Sequence, residues 1–229
     1  MRRIVDHKLT ARIVLSSVST VAFDFDETLV DEAHSRRLRW HKTLKNFTCL
    51  SDKLEETFFS IFDEKNHKHK TNLTEAFAKI GVGEEHIPLV IKAFRASHSG
   101  EERVYKSVRE VLILLKQLGK RIGVITDGVR DYQEPRLRVA GLYELLDFFH
   151  YGDMHQKPDR EFFKKCFEEE GIKPHELLYV GDHIEKDVAG ALAAGAKAIW
   201  IRQGNMMQAP EGALNFDTMD EFLQWLKKV

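Results

Sequence analysis

The sequence has few of the features that mark secreted, membrane-spanning or nucleic-acid-binding proteins. Only two of its 229 residues are cysteines, Cys49 and Cys166, and their spacing does not suggest a metal site. We therefore expect free thiols in a reducing compartment, and a cytoplasmic protein, rather than a disulfide framework. No apolar run is long enough to cross a bilayer, which predicts that the chain has no membrane partner.

The chain also lacks an excess of charge of either sign. The chain has 35 Lys plus Arg against 36 Asp plus Glu, for a formal net charge of -1. This balance gives no bulk electrostatic reason to bind nucleic acid, so we expect no nucleic-acid partner. Apolar residues make up 43% and charged residues 31% of the chain, which is typical of a globular protein. Its length allows one sizeable core, or one core plus a small accessory domain.

What the sequence does contain is a series of short apolar runs, typical of parallel strands covered on both faces. Helical segments with capping signals separate the later runs, and this alternation indicates βα units. We therefore predict an α/β fold, a Rossmann-like parallel sheet core of about five strands with helices on both faces. The predicted strands are Val21–Phe25, Ile122–Thr126, Phe148–Tyr151, Leu177–Gly181 and Ala198–Ile201. The predicted caps are Ser107 with Glu110, Asp159, and Thr218 with Glu221.

Residues 31–105 follow a different pattern. They show no convincing strand, and their apolar residues recur at roughly helical spacing. Asn72 and Glu75 have the spacing of a capping box, and residues 83–97 read as a further helix with Pro88 in its first turns. We predict that residues 31–105 form an inserted helical domain within a core of residues 1–30 and 106–229.

Polar residues stand at or just after the carboxyl ends of four of the predicted strands. Ligands bind at this edge of an open parallel sheet, so we expect these residues to converge although they lie far apart in the chain. They are Asp24 and Asp26, then Thr126, Asp127 and Gly128, then Lys157, and finally Asp182 with Asp187.

The acidic members of this set predict a metal site. Asp24, Asp26 and Asp182 together bring too much negative charge to be buried without a cation or bound protons. No His or Cys is part of the set, so a hard ion bound by oxygen, Mg²⁺, is favoured over zinc.

The other members predict a phosphate site beside the metal. Lys157 offers a compact positive charge for a phosphoryl oxygen. Thr126 offers a hydroxyl, and the backbone N–H groups near Asp127 and Gly128 offer further donors.

In this order and at these strand ends, the four segments resemble the four motifs of the haloacid dehalogenase superfamily. The resemblance runs from about Val21 to Gly204, and the helical insertion is similar to the type-1 helical cap of that superfamily. It implies a phosphatase in which Asp24 attacks phosphorus to form an aspartyl-phosphate, and Asp26 acts as general acid and then base. It also implies that Thr126 and Lys157 orient the phosphate. The implied metal ligands are the Asp24 carboxylate, the Asp26 backbone carbonyl, Asp182 and Asp187.

The acid at Asp26 favours phosphate transfer over dehalogenation, because an alkoxide needs a proton to leave and a halide does not. Glu27 stands where many relatives have Gly or Asp, and Asp127 where many have Asn, so the substrate is not determined. A small phosphorylated metabolite is expected: phosphoglycolate, a nucleotide and a sugar phosphate all remain open. So do a phosphomutase activity, a non-catalytic binding role, and a monomeric or homodimeric state.

Overall fold

The computed structural model describes residues 7–47, 50, 52–64, 69–97, 101–152 and 157–229. The chain forms two compact units. The first unit runs up to Glu32 and continues from Glu102 to Val229, and the second unit is Ala33–Glu101. Cys49 lies outside the described residues.

The first unit contains a single parallel sheet of six strands in the order β3-β2-β1-β4-β5-β6. The prediction of an α/β fold with a parallel sheet is confirmed, and a short sixth strand is added at one edge. The strands are β1 (Thr20–Phe23), β2 (Arg121–Thr126), β3 (Phe148–Tyr151), β4 (Leu177–Gly181), β5 (Lys197–Ile201) and β6 (Leu214–Phe216).

The helices extend over both units. Among the described residues, none is both long and apolar enough to cross a membrane. The helices are α1 (His7–Ser16), α2 (Glu32–Leu44), α3 (Glu55–Glu64), α4 (His69–Lys79), α5 (Ile87–Ala96), α6 (Val108–Gln117), α7 (Arg130–Val139), α8 (Arg160–Glu170), α9 (Gly190–Ala193) and α10 (Met219–Leu226).

The central strand β1 is buried along its whole length, as its unbroken apolar sequence predicts. Its successive side chains enter different clusters. Val21 and Phe23 pack in one cluster with residues of α6 and α10, and Ala22 packs in another with residues of α8. Helices therefore cover both faces of the sheet, and the polar residues that follow β1 are left at its carboxyl end.

The second unit is helical in the part that the structure describes. Its core is aromatic. Trp40 is fully buried and stacks on Phe58 with ring centroids 4.7 Å apart, and Phe58 lies 4.7 Å from Phe77. Such ring pairs add to the stabilisation from apolar burial.

The two segments that connect the units are joined to each other within the first unit. Val30 and Val104 form an antiparallel bridge. The Asp31 N–H donates to the Arg103 carbonyl at 2.8 Å, and the Tyr105 N–H donates to the Leu29 carbonyl at 3.0 Å. The chain therefore leaves the first unit and returns to it at the same place.

Two of the predicted caps form, and two do not. Asp159 caps α8 by accepting from the Glu161 N–H, and Thr218 caps α10 by accepting from the Glu221 N–H. The Ser107 box is wrong, because Ser107 has a φ of 68° and its hydroxyl donates to Asp220 instead. The box at Asn72 is also wrong, because α4 already begins at His69. In place of a helix over residues 83–97, α5 begins at Ile87, one residue before Pro88.

Candidate active site

The centre of the site is an ion-paired lysine at the carboxyl end of the sheet. The Lys157 Nζ atom lies 2.7 Å from Asp24 Oδ1 and 2.5 Å from Asp187 Oδ1. Asp24 directly follows β1, and its N–H donates to the Val180 carbonyl of β4 at 2.9 Å. The strand ends thus bring together three predicted residues from distant parts of the chain.

Tyr179 is a member of this cluster that the sequence did not reveal. Its hydroxyl accepts from Lys157 Nζ at 2.9 Å and donates to the Ile125 carbonyl at 2.7 Å. Tyr179 lies in β4 and is fully buried, so in sequence it is indistinguishable from an apolar core residue. It fixes the lysine from the side of the sheet.

A group of carboxylates beside the lysine can hold a cation. One oxygen from each of Asp24, Asp182 and Asp187 can be chosen so that all lie within 4.8 Å of one another. Asp182 accepts from Thr28 Oγ1 at 3.2 Å, and Asp187 accepts from the His183 N–H at 2.9 Å. The atoms available to bind the ion are all carboxylate oxygens, so these residues fit a hard cation such as Mg²⁺.

Electrostatics supports the same reading. Burial, reinforced by the charges of Asp187 and Asp182, raises the pKa of Asp24 well above its ordinary range despite the nearby ammonium. Burial and the charge of Asp187 raise the pKa of Asp182 to about 8. Burial alone would lower the pKa of Lys157, but Asp187 and Asp24 outweigh it and the net pKa is raised. Three carboxylates thus share one ammonium, an excess of negative charge that a bound cation would balance.

Asp26 and Thr126 are connected through Gln133 of α7. The Gln133 Nε2 atom lies 2.6 Å from Asp26 Oδ2 and 3.3 Å from Thr126 Oγ1. The other Asp26 oxygen, Oδ1, accepts from Arg136 Nη1 at 2.7 Å. No pattern in the sequence indicated that Gln133 contacts the site.

The Asp127 carboxylate contacts two lysine residues, Lys157 through its backbone and Lys186 through its side chain. Its Oδ1 accepts from the Lys157 N–H at 2.7 Å, and its Oδ2 pairs with Lys186 Nζ at 3.2 Å. An asparagine could accept the first bond, but it would bring no charge for Lys186. Asp127 therefore supports the backbone of Lys157 in this structure.

Two glycines let side chains approach the site closely. A Cβ atom at Gly128 would lie 2.2 Å from Gln133 Nε2, and one at Gly181 would lie 2.5 Å from the Asp187 carboxylate. The Gly128 N–H is 3.4 Å from Thr126 Oγ1. Any larger residue would displace the neighbouring side chain at either position.

The second departure from the common motif, Glu27, lies in the turn after Asp26. Its φ is 55°, a left-handed conformation that explains why glycine is frequent there. Its carboxylate accepts from the Tyr105 hydroxyl at 2.6 Å, and the Gln203 side chain donates to its carbonyl.

Four residues of α2 follow the first motif closely, and from the sequence alone they are candidate substrate contacts, with surface or packing roles equally open: His34, Arg37, Trp40 and His41. Trp40 belongs to the buried core of the second unit. Arg37 pairs with Glu55 at 3.0 Å, and His41 lies 3.5 Å from the same carboxylate. Trp40 therefore has a packing role, and Arg37 and His41 share the Glu55 carboxylate.

Several known proteins are similar to this chain in sequence or in fold. The haloacid dehalogenase-like hydrolase family matches residues 21–201. The glyceraldehyde 3-phosphate phosphatase of Pyrococcus abyssi is 26% identical over 197 residues, covering 82% of each chain. The pyrophosphatase PpaX of Bacillus mycoides is 28% identical over 224 residues, covering 93% of this chain and 98% of its own.

Among solved structures, the magnesium-bound HAD-hydrolase YfnB of Bacillus subtilis superimposes with a TM-score of 0.77. The match covers 91% of this chain and 98% of YfnB at 21% identity, and so it bears on the fold alone. The family match extends over most of the chain and includes all four strand ends of the site. The resemblance seen in the sequence is confirmed: the chain belongs to the haloacid dehalogenase-like hydrolases.

Proposed function

We propose that this protein is a Mg²⁺-dependent phosphatase that removes the phosphate of a small metabolite through a phosphorylated Asp24. The observation that carries the proposal is the convergence of Asp24, Lys157, Asp182 and Asp187 at one edge of the sheet. A nucleophile, a fixed cation and a carboxylate metal site in one place are what phosphoryl transfer requires. Both relatives named above are phosphatases, which supports the same assignment.

In this proposal, Asp24 attacks phosphorus, and the bond to the leaving oxygen breaks. Asp26 donates the proton to that oxygen and later takes a proton from the water that hydrolyses the aspartyl-phosphate. Lys157 and the Thr126 hydroxyl hold phosphoryl oxygens, together with the N–H groups of Asp127 and Gly128. Asp127 also keeps Lys157 in place through its backbone N–H.

Asp24, Asp182, Asp187 and the backbone carbonyl of Asp26 would hold the metal ion. When bound, Mg²⁺ supplies positive charge that neutralises the phosphate and stabilises the transition state. The excess of buried carboxylate over ammonium groups supports this part of the proposal.

The direct test is turnover of nitrophenyl phosphate with Mg²⁺ and with a chelator, for the wild type and for Asp24→Asn. We expect the wild type to release phosphate only with Mg²⁺, and the variant to lose at least about a thousandfold in kcat. Trapping with hydroxylamine should find a modified Asp24 in the wild type alone. An equally active Asp24→Asn protein would reject the nucleophile, and chelator-resistant turnover would reject the metal.

The substrate can be found with a panel that contains phosphoglycolate, nucleoside monophosphates, sugar phosphates, glyceraldehyde 3-phosphate and pyrophosphate. The last two are included because the relatives act on them by name. With a sugar 1-phosphate, free phosphate as product indicates a phosphatase, whereas an isomerised sugar phosphate indicates a mutase.

We also propose that the helical second unit serves as the cap that the family resemblance implies. Substitutions at Asp31 and Tyr105, in the connecting segments, should then change both kcat and KM. If neither constant changes, the cap role is rejected.

A further inference from the structure

Arg136 is a buried arginine that no sequence motif indicates. It lies in α7, and its side chain is only 1% exposed. It contacts three carboxylates: Nη1 lies 2.7 Å from Asp26, Nε lies 2.9 Å from Glu102, and Nη2 donates to Glu32. A charged side chain this deeply buried is retained only where its partners satisfy it.

The guanidinium is fixed by its faces as well as by its edges. Its carbon lies 5.0 Å from the centre of the Phe25 ring and 5.1 Å from that of Tyr132. Planar contacts of this kind suit the fork of an arginine and not a lysine ammonium. Contacts other than the one with Asp26 therefore fix the position of the Arg136 guanidinium. A guanidinium fixed in this way can hold the Asp26 carboxylate in one orientation.

Both oxygens of Asp26 are held from the same helix. Arg136 donates to Oδ1, and Gln133, one turn earlier in α7, donates to Oδ2 at 2.6 Å. Arg136 Nη1 also donates to Gln133 Oε1 at 2.8 Å, which orients the Gln133 amide toward Asp26 and Thr126. The arginine thus fixes Asp26 directly and through the glutamine.

The other partners of Arg136 lie where the two units connect. Glu32 is the last residue of the first unit before the helical insertion, and Glu102 is the first residue after it. Both carboxylates contact the same guanidinium as Asp26. Arg136 therefore fastens both connecting segments beside the side chain that is proposed to move protons.

We propose that Arg136 is a positioning residue that orients the Asp26 carboxylate for proton transfer, through its own contact and through Gln133. The inference rests on the proposed function, because it takes Asp26 as the general acid and base. Arg136 itself contacts neither substrate nor metal in this proposal. Its loss leaves the nucleophile, the lysine and the metal ligands in place, but it removes the contact on Asp26 Oδ1 and the bond that orients the Gln133 amide.

The test compares two aryl phosphates whose leaving groups differ in basicity, and so in their need for a proton. Phenyl phosphate has a basic leaving group that must be protonated, whereas dinitrophenolate leaves without a proton. For Arg136→Gln, we expect kcat/KM for phenyl phosphate to fall by about a hundredfold or more, and that for dinitrophenyl phosphate by less than about tenfold. On the second substrate kcat should still fall, because hydrolysis of the aspartyl-phosphate needs a base.

Two further variants keep the experiment interpretable. Arg136→Lys retains the positive charge among the three carboxylates but cannot donate to all of them, so it should fold and show the same pattern more weakly. Arg138→Gln removes a half-exposed arginine two positions along the same helix and should match the wild type on both substrates. Thermal melts establish that each variant is folded.

An equal loss of kcat/KM on both substrates, in Arg136→Gln and Arg136→Lys alike, would overturn the inference and indicate general structural damage. So would wild-type values in both variants. If the wild type itself turns over neither substrate, or if Asp24→Asn is fully active, the proposed function fails instead, and the inference fails with it.

Discussion

The ammonium of Lys157 lies between two buried carboxylates, 2.7 Å from Asp24 and 2.5 Å from Asp187, with its side chain only 2% exposed. Lys157 is therefore both a proposed phosphate ligand and the main fixed positive charge balancing these acids. The two roles make separate, measurable predictions.

The first prediction concerns stability without metal. Lys157→Met leaves Asp24 and Asp187 buried without their partner, which typically costs about 3–5 kcal/mol. We expect this loss of unfolding free energy in urea titrations with a chelator, and a smaller loss with Mg²⁺, which supplies the missing charge.

Lys186→Met is a suitable comparison for this experiment. Lys186 pairs with Asp127 at 3.2 Å, but its side chain is 17% exposed. Its removal should cost less than that of Lys157, because Asp127 still accepts from the Lys157 N–H at 2.7 Å. Equal losses in the two variants, or a Lys157 deficit that Mg²⁺ does not reduce, would contradict the charge balance described here.

The second prediction concerns metal binding itself. Mg²⁺ at a hundred times its dissociation constant should stabilise the folded protein by about 2.7 kcal/mol, seen as a higher melting temperature. Asp182→Asn and Asp187→Asn each remove a carboxylate of the cluster and should abolish most of this shift. Asp131→Asn changes an exposed acid of α7 and should preserve it. An undiminished shift in the two cluster variants would place the metal elsewhere.

The third prediction uses two buried strand glycines. A Cβ atom at Gly123 would overlap the Phe148 ring at 2.3 Å, and one at Gly181 would overlap the Asp187 carboxylate at 2.5 Å. Gly123→Ala should lose about 1–3 kcal/mol of stability through overpacking but keep its activity per folded molecule. Gly181→Ala should also lose activity and Mg²⁺ affinity, because Asp187 must move. Equal specific activities in the two variants, measured well below their melting temperatures, would show that the position of Asp187 is not critical.

The fourth prediction concerns the buried thiol. Burial, with a contribution from Glu169, raises the pKa of Cys166 from 9.0 to about 12. At pH 8 the folded protein should therefore hold roughly a thousandfold less Cys166 thiolate than the unfolded chain. In a Cys49→Ser background, alkylation by iodoacetamide should be very slow in the folded protein and fast in urea. Rapid alkylation of the folded protein would contradict the burial of this thiol.

The same shift predicts a stability change with pH. The folded state holds the thiol proton more tightly than the unfolded state, so this contribution is complete below pH 9. It is lost as the pH rises from 9 toward 12, by about 1.4 kcal/mol per unit. Cys166→Ala should flatten this part of the stability profile.

The sequence predicted the sheet well where burial left a clear pattern. Strands covered on both faces are unbroken apolar runs in the sequence, so all five predicted strands could be located. Two of them match their observed bounds, and the other three differ at one or both ends. Strand β6 was not predicted, since Leu214–Phe216 is short and only partly buried at the sheet edge. The cap at Ser107 failed because its hydroxyl binds Asp220, far along the chain, and no local pattern contains that contact.

In the site, too, the residues that follow a local sequence pattern were predicted, and those that depend on tertiary contacts were not. Asp24, Lys157, Asp182 and Asp187 were predicted to converge because each follows a strand, and strand ends share one edge of a parallel sheet. Arg136 was not singled out, because a polar residue on a helix normally faces water. Its burial depends on Glu32 and Glu102, which only the tertiary fold brings to it.

The bridge between Val30 and Val104 has a consequence for how this chain can be altered. Because Asp31 and Arg103 are already hydrogen bonded, a loop of a few residues can span the gap left by removing Ala33–Glu101, and Glu32 and Glu102 remain as partners of Arg136. Such a shortened chain retains every strand of the sheet. The length of the helical insertion can therefore change without disturbing the register of the strands, because the insertion is attached to the sheet at one place only.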